Sequence, residues 1–144
     1  MSHYRKILLA VDFSQTSDHV IDRASEISID CDAEITLVHV AEYYQHEFNV
    51  GVYIPELNIE EELIEQSRKK LQNIAEKMDV PEARQLIEVG SPKGEIIRIA
   101  EEQECDLIII GSHGRHGLGL MMGSTANGVL HHAPCDVLAV RIKE

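Results

Sequence analysis

Short apolar runs that alternate with helical patterns constrain the fold of this chain more than any other feature of its sequence. Four runs have the length of a strand and hold few polar residues, as is typical of parallel strands covered on both faces: residues 7–11, 35–40, 107–110 and 137–140. A fifth run, Leu86 to Val89, is partly polar, which favours the edge of a sheet. Because strands and helices alternate along the chain, the pattern predicts one doubly wound α/β domain with a five-stranded parallel sheet.

Helical spacing of apolar residues places helices between these strands. The first is expected to begin near Ser14–Ser17 and to end near Asp30, and the second to begin at Asn58, with a capping-box partner in Glu61, and to end near Asp79. The third begins at Pro92 after an N-cap at Ser91 and ends near Glu102. The fourth follows a glycine-rich segment and ends near His132. The segment 42–57 breaks the pattern and holds four of the six aromatic residues. It is either a flap that covers a ligand base or a loop that packs onto the domain or a partner subunit.

Size, charge and cysteine content limit the classes of function. With 144 residues the chain is long enough for one domain, spanning 1–144, that has its own core. A net charge of -12 argues against binding to nucleic acid or to an anionic membrane, because both require basic surface. The three cysteines form no C-x-x-C pair, so we expect a reducing, cytoplasmic setting. The apolar run near the start is too short for a signal peptide or a membrane span.

The segment most informative about function follows the apolar run at 107–110. Gly111-Ser112-His113-Gly114 comes first, and Gly123-Ser124-Thr125 then precedes a helical pattern. A strand, a glycine-rich loop and a helix start together direct backbone N–H groups at an anion, and glycines let the main chain approach a ligand closely. The segment therefore predicts a phosphate-binding loop. The alternative is a surface loop that ends in a serine N-cap.

The same residues resemble the G-x-x-G-x(9)-G-[ST] nucleotide-binding motif of the universal stress protein family. In this chain the spacer between Gly114 and Gly123 has eight residues, 115–122, and Gly117 and Gly119 could absorb the difference. The resemblance covers nearly the whole chain, and its other features are Ile7 to Asp12, Leu37 to Val40, Gly90 to Pro92 before Glu95 and Ile96, and Cys135 to Arg141.

The resemblance implies a sheet order of 3-2-1-4-5, with helices on both faces and ATP or another adenine nucleotide in the crevice between strands 1 and 4. The nucleotide would act as a regulatory ligand. The 114–124 segment and Arg115 would bind its phosphates, Asp12 would meet the ribose hydroxyls or a phosphate-bound Mg²⁺, and Val40 would offer backbone groups to the adenine. The candidate binding residues are Ala10, Asp12, Val40, Gly111, His113, Gly114, Arg115, Gly123, Ser124 and Thr125.

Several polar residues have alternative roles. Asp12 could equally form a turn or cap for the first helix. His113 and His116 lie in the same loop, where one either donates to phosphate or faces solvent. His39, which ends a strand, fits a packed or tautomer-fixed residue better than a ligand. His131-His132 and Cys135 have poor spacing for zinc. The cysteines that precede strands are interpreted as small apolar residues that close the connections.

The last strand, Val137 to Val140, is as apolar as a central strand although it falls at the edge of the sheet. Long apolar edges favour pairing with another strand, so we expect a two-fold homodimer in which this strand meets its copy, as the resemblance also implies. The sequence offers no nucleophile–base pair, so no catalytic residue is predicted. Three activities stay open as alternatives: slow ATP hydrolysis, phosphorylation at Ser124 or Thr125, and adenylate formation. A further alternative is a protein that binds no nucleotide and acts through dimer contacts and an unknown protein partner.

Overall fold

Five strands form one parallel sheet in the computed structural model, which describes residues 3–13, 17–41, 59–112 and 125–141. They are β1 (Lys6–Ala10), β2 (Glu34–Ala41), β3 (Gln85–Val89), β4 (Leu107–Gly111) and β5 (Asp136–Val140). Their order across the sheet is β3-β2-β1-β4-β5, and each neighbouring pair is parallel. The predicted α/β class and the order 3-2-1-4-5 are therefore confirmed.

Helices connect the strands on both faces of the sheet. They are α1 (Ser17–Cys31), α2 (Ile59–Met78), α3 (Pro92–Glu102) and α4, which is described over residues 125–132. A 3-10 helix, Glu82–Arg84, precedes β3. The predicted ends of all four helices are confirmed to within a residue or so. None of the helices in the described ranges is both long and apolar enough to cross a membrane.

The predicted helix caps have different outcomes. Ser91 occupies the N-cap position of α3 and Pro92 its first turn, as predicted, but the Ser91 side chain makes no capping hydrogen bond. The predicted caps at 14–16 and at Asn58 lie outside the described residues, as does the aromatic segment 42–57.

The sheet separates two hydrophobic clusters. Alternate side chains of a strand point to opposite faces, so β1 sends Ile7 and Leu9 to one face and Leu8 to the other. We name the two groups by the helices that complete them. The α1/α2 cluster is formed by Ile7, Leu9, Val11, Val20, Ala24, Leu37, Leu71, Ala75 and Ile109 with their neighbours. The α3/α4 cluster is formed by Leu8, Ala10, Val38, Ile96, Ile99, Ile108, Ile110, Ala126 and Val129 with theirs.

Burial falls from the centre of the sheet to its edges. Every residue of β4 is buried, whereas every residue of β3 is only partly buried, which confirms the predicted edge position of that strand. At the other edge, β5 has one buried residue, Val140. Cys105 is buried in the α3/α4 cluster and Cys135 packs against it, so the interpretation of these thiols as small apolar residues is confirmed.

Asp106 joins β1 to β4 at the amino edge of the sheet. Its carboxylate accepts the backbone N–H groups of Arg5 and Lys6, each at 3.0 Å, and its own N–H donates to the Lys6 carbonyl at 2.9 Å. These bonds continue the strand pairing one step before the register pair Ile7 and Leu107. The Tyr4 hydroxyl adds a bond of 2.7 Å to Asp136 at the start of β5. The amino edge is therefore joined by side chains as well as by the ladder.

Candidate functional site

The carboxyl edge of the sheet brings together four separate stretches of the chain: the ends of β1, β2 and β4 and the first described turn of α4. Strand β1 pairs with β2 on one side and with β4 on the other, so successive connections leave β1 and β4 in opposite directions. In open α/β sheets this reversal opens a crevice beyond the carboxyl ends of the two strands. Asp12 follows β1 and Gly111 ends β4, so both predicted binding residues lie at the point of reversal.

Three further predicted residues lie on the α3/α4 side of this edge. Ala10 is a buried member of the α3/α4 cluster, and Val40 packs against the same cluster from β2. Thr125 is 9% exposed in the first described turn of α4, directly before Ala126 of that cluster. Because α4 runs back along the sheet towards the start of β5, its first turn faces the carboxyl edge. Ala10, Val40 and Thr125 therefore lie on the same side of the sheet.

The predicted phosphate-binding residues fall in the segment 113–124. His113, Gly114, Arg115, Gly123 and Ser124 all lie outside the described residues, so their roles stay predictions. Ser112, the residue before the segment, donates its N–H to the Val140 carbonyl at 2.8 Å.

Gly90 holds the end of β2, next to Val40. Its N–H donates to the Ala41 carbonyl at 3.0 Å. Its φ angle of 145° lies in a region that side chains with a Cβ rarely adopt. The first residue of the Gly90-Ser91-Pro92 pattern is thus a glycine because the chain must turn sharply from β3 into α3 while it keeps this bond.

His39 makes a contact next to Asp12 that sequence reasoning did not identify. Its Nδ1 atom lies 2.7 Å from the Val11 carbonyl oxygen, which can only accept, so Nδ1 carries the hydrogen. The imidazole stacks on Phe13 with ring centroids 4.1 Å apart and an angle of 30°. The prediction that His39 is a packed or tautomer-fixed residue is confirmed in its first part, since the ring is partly buried and stacked on Phe13. Neither contact has a sequence signal, because both depend on the path of the chain after β1.

The environment of His39 favours its neutral form. Burial lowers the pKa of the imidazole, while the bond to the Val11 carbonyl and the nearby charge of Asp12 act in the opposite direction. Lys70 of α2 adds to the lowering, and its Nζ lies 5.6 Å from the centroid of the Phe13 ring. At this distance an ammonium is attracted to the face of an aromatic ring.

No group of three or more histidine, cysteine, aspartate or glutamate side chains is placed to hold a metal ion within the residues that the structure describes. The ring centroids of His131 and His132 are 6.4 Å apart, and the ring planes are tilted by 57°. The predicted contact of Asp12 with a phosphate-bound Mg²⁺ needs no such group and stays a prediction.

Comparison with known proteins connects this geometry to a family. A sequence model of the universal stress protein family matches residues 3–141. Universal stress protein A homolog 2 of Coxiella burnetii is 40% identical over 147 residues, which cover 99% of each chain. The solved structure of protein MJ0577, a universal stress protein of Methanocaldococcus jannaschii, has a TM-score of 0.78 and 28% identity and covers 99% of this chain and 98% of its own.

A second solved structure, of a universal stress protein in complex with cAMP, has a TM-score of 0.65 over 96% of this chain and 98% of its own. Its identity of 20% makes it evidence for the fold alone. Since the family match spans the two clusters, both edges of the sheet and the crevice, this chain belongs to the universal stress protein family.

Proposed function

We propose that this chain binds ATP, or another adenine nucleotide, as a regulatory ligand of a cytoplasmic stress response. The observation that carries the proposal is the strand order, which sets Asp12 and Gly111 side by side at the reversal point between β1 and β4. A crevice at this point is where open α/β sheets bind their ligands. Ala10, Val40 and Thr125 support the proposal because they lie at the same edge.

Each part of the nucleotide has a proposed partner. Backbone N–H groups of the glycine-containing segment, from Gly111 through Gly114 to Gly123, take the phosphates, with the hydroxyls of Ser124 and Thr125 and with His113 as further donors. Arg115 supplies a positive charge to the same group. Asp12 accepts from the ribose hydroxyls or meets a phosphate-bound Mg²⁺, and the main chain at Val40 reads the adenine edge.

The charge of the chain bears on how such a ligand is held. With a net charge of -12, the overall field opposes an incoming triphosphate. Local dipoles, Arg115 and Mg²⁺ must therefore outweigh this repulsion. We expect ATP with Mg²⁺ to bind more tightly than ATP without it. The solved universal stress protein that carries cAMP supports the view that this fold accommodates adenine, ribose and phosphate in one ligand.

We infer a regulatory ligand rather than a substrate because no nucleophile–base pair is recognisable in the sequence. Slow hydrolysis or phosphorylation of Ser124 or Thr125 is the alternative, and adenylate formation is a second one. A product of changed mass in an ATP incubation would favour either of these. Nucleotide binding would order the proposed phosphate segment and so change the surface that a protein partner contacts.

We also propose a homodimer through the outer edge of β5. The inner edge of this strand is paired with β4, while Val137 to Ala139 are only partly buried in the single chain. An exposed apolar edge favours antiparallel pairing with a second copy. Analytical ultracentrifugation that shows only monomer at micromolar concentration would contradict this proposal.

Calorimetric titration of the native chain with Mg-ATP tests the nucleotide proposal. Gly123→Val places a branched side chain where the main chain must approach phosphate. Asp12→Asn removes the negative charge that is proposed to meet the ribose hydroxyls or Mg²⁺. Each substitution should weaken Mg-ATP binding by about tenfold or more. Asp22→Asn, at an exposed position of α1, removes the same charge and should leave the affinity unchanged. Titrations with AMP and cAMP rank the candidate ligands. Absence of heat with every one of these nucleotides would refute the proposal.

A further inference from the structure

The main chain on either side of Asp12 is supported from the face of the sheet opposite to Ala10 and Val40. His39 lies two positions after Leu37 in β2 and therefore faces the α1/α2 cluster. Its ring partner, Phe13, packs against the same cluster. The support thus comes from beneath the crevice, on the side away from the proposed ligand.

The residue before Asp12 is bound to β2 through both of its backbone groups. The Val11 N–H donates to the Val38 carbonyl at 2.9 Å, which continues the pairing of β1 with β2 past the end of β1. The Val11 carbonyl accepts from the His39 Nδ1–H at 2.7 Å. Substitution of His39 would remove this side-chain donor from the partly buried Val11 carbonyl.

The residue after Asp12 is held in an unusual conformation. Phe13 has a φ angle of 63°, in the left-handed region that bulky residues enter only at a steric cost. Such a conformation persists when surrounding contacts enforce it, and it is found most often at functional sites. Here the enforcing contacts are the stack on His39 and the Lys70 ammonium at 5.6 Å from the ring.

We propose that His39 is a positioning residue for nucleotide binding, an inference that rests on the proposed function. Its Nδ1–H fixes the main chain before Asp12, and its ring fixes the main chain after it. The Asp12 backbone is thus held from both sides before any ligand arrives. A group held in its binding conformation in advance loses less conformational entropy on binding, so the affinity is higher.

Two substitutions separate the two contacts. His39→Phe keeps a ring to stack on Phe13 and removes the donor. His39→Asn keeps an amide N–H close to the position of Nδ1 and removes the ring. If the hydrogen bond is the main support, His39→Phe weakens Mg-ATP binding by about tenfold and His39→Asn by no more than about threefold. His131→Phe, the same change at an exposed position of α4, should leave the affinity unchanged.

A double-mutant cycle distinguishes positioning from a general structural effect. If His39 acts through Asp12, His39→Phe has no further effect on Mg-ATP affinity once Asp12→Ala is present. Equal losses in the two backgrounds would overturn the inference while the nucleotide proposal stands. Failure of the native chain to bind any adenine nucleotide would overturn both.

A measurement without nucleotide tests the contact itself. Long-range ¹H–¹⁵N spectra of the histidine rings should show the hydrogen of His39 on Nδ1 at neutral pH, and thermal unfolding should show that His39→Phe is folded. Observation of the Nε2–H tautomer at His39 would overturn the inference, because Nδ1 would then have no hydrogen to donate to Val11.

Discussion

Removal of the Asp106 carboxylate tests how strongly side chains join the amino edge of the sheet. The two carboxylate oxygens accept the N–H groups of Arg5 and Lys6, with three oxygen–nitrogen distances of 3.0, 3.0 and 3.2 Å. Asp106→Ala leaves both donors without this partner but keeps the backbone bond from the N–H of residue 106 to the Lys6 carbonyl. Because the site is partly open to solvent, water replaces part of what is lost.

The magnitude follows from the number of bonds and their exposure. A hydrogen bond to a charged group contributes about 1.5–3 kcal/mol to stability when it is well protected, and less near the surface. For two donors at a partly exposed carboxylate we expect Asp106→Ala to lower the free energy of unfolding by about 1–2 kcal/mol. This corresponds to a fall in Tm of about 2–6 °C for a domain of this size. Asp106→Asn keeps an oxygen acceptor and should cost about half as much.

Urea titration followed by circular dichroism measures these differences. Asp22→Ala is the matched control, since it removes the same charge from an exposed helical position. The control should change the stability by no more than about 0.5 kcal/mol. Equal stability of Asp106→Ala and the native chain would refute the reasoning, because the three contacts would then contribute nothing.

Three other predictions concern Gly128, Cys105 and His39. A Cβ at Gly128 would come into close contact with Lys93 Cδ, but the Lys93 side chain is exposed and can move. Gly128→Ala should therefore stabilise α4 by roughly 0.5 kcal/mol, and by about 1 kcal/mol in a Lys93→Ala background; a loss of stability in both backgrounds contradicts this. Burial raises the pKa of the Cys105 thiol to about 11, so iodoacetamide at about pH 8 should label it only after unfolding, and rapid labelling of the native protein contradicts this. The pKa of His39 is lowered below the ordinary value of about 6.5, so its contribution to stability is present above that pH and is lost as the pH falls through the folded-state pKa. Native protein should therefore lose more stability on acidification than His39→Asn, and parallel curves of stability against pH would refute this.

The parts of the fold that depend on local patterns are predictable from the sequence. The run Leu107–Ile110 has no polar residue, and such a run is stable only where both faces of a strand are covered. The partly polar run Leu86–Val89 gives the complementary signal for an edge, and the structure places it there. The strand order itself came from resemblance to the family, because periodicity says nothing about which strands are neighbours.

The contacts that hold the candidate site were not predictable, since they join distant residues through the main chain. His39 and Val11 are 28 residues apart, and Asp106 and Arg5 are 101 apart. A backbone carbonyl carries no mark in the sequence that would show which side chain it accepts from. The left-handed conformation of Phe13 is equally hidden, because glycine or asparagine is the usual signal for it.

The separation of the interior into two clusters has a consequence for how this chain can change. A side chain of β1 or β4 reaches one cluster or the other, so a repacked α1 or α2 affects the α3/α4 cluster only through the backbone. The helices on that face could therefore diversify, by natural drift or in a designed library, while the other half of the protein stays as it is. His39 and Phe13 are the exceptions. A change in the packing of the α1/α2 cluster should reach the main chain at Asp12 through these two residues.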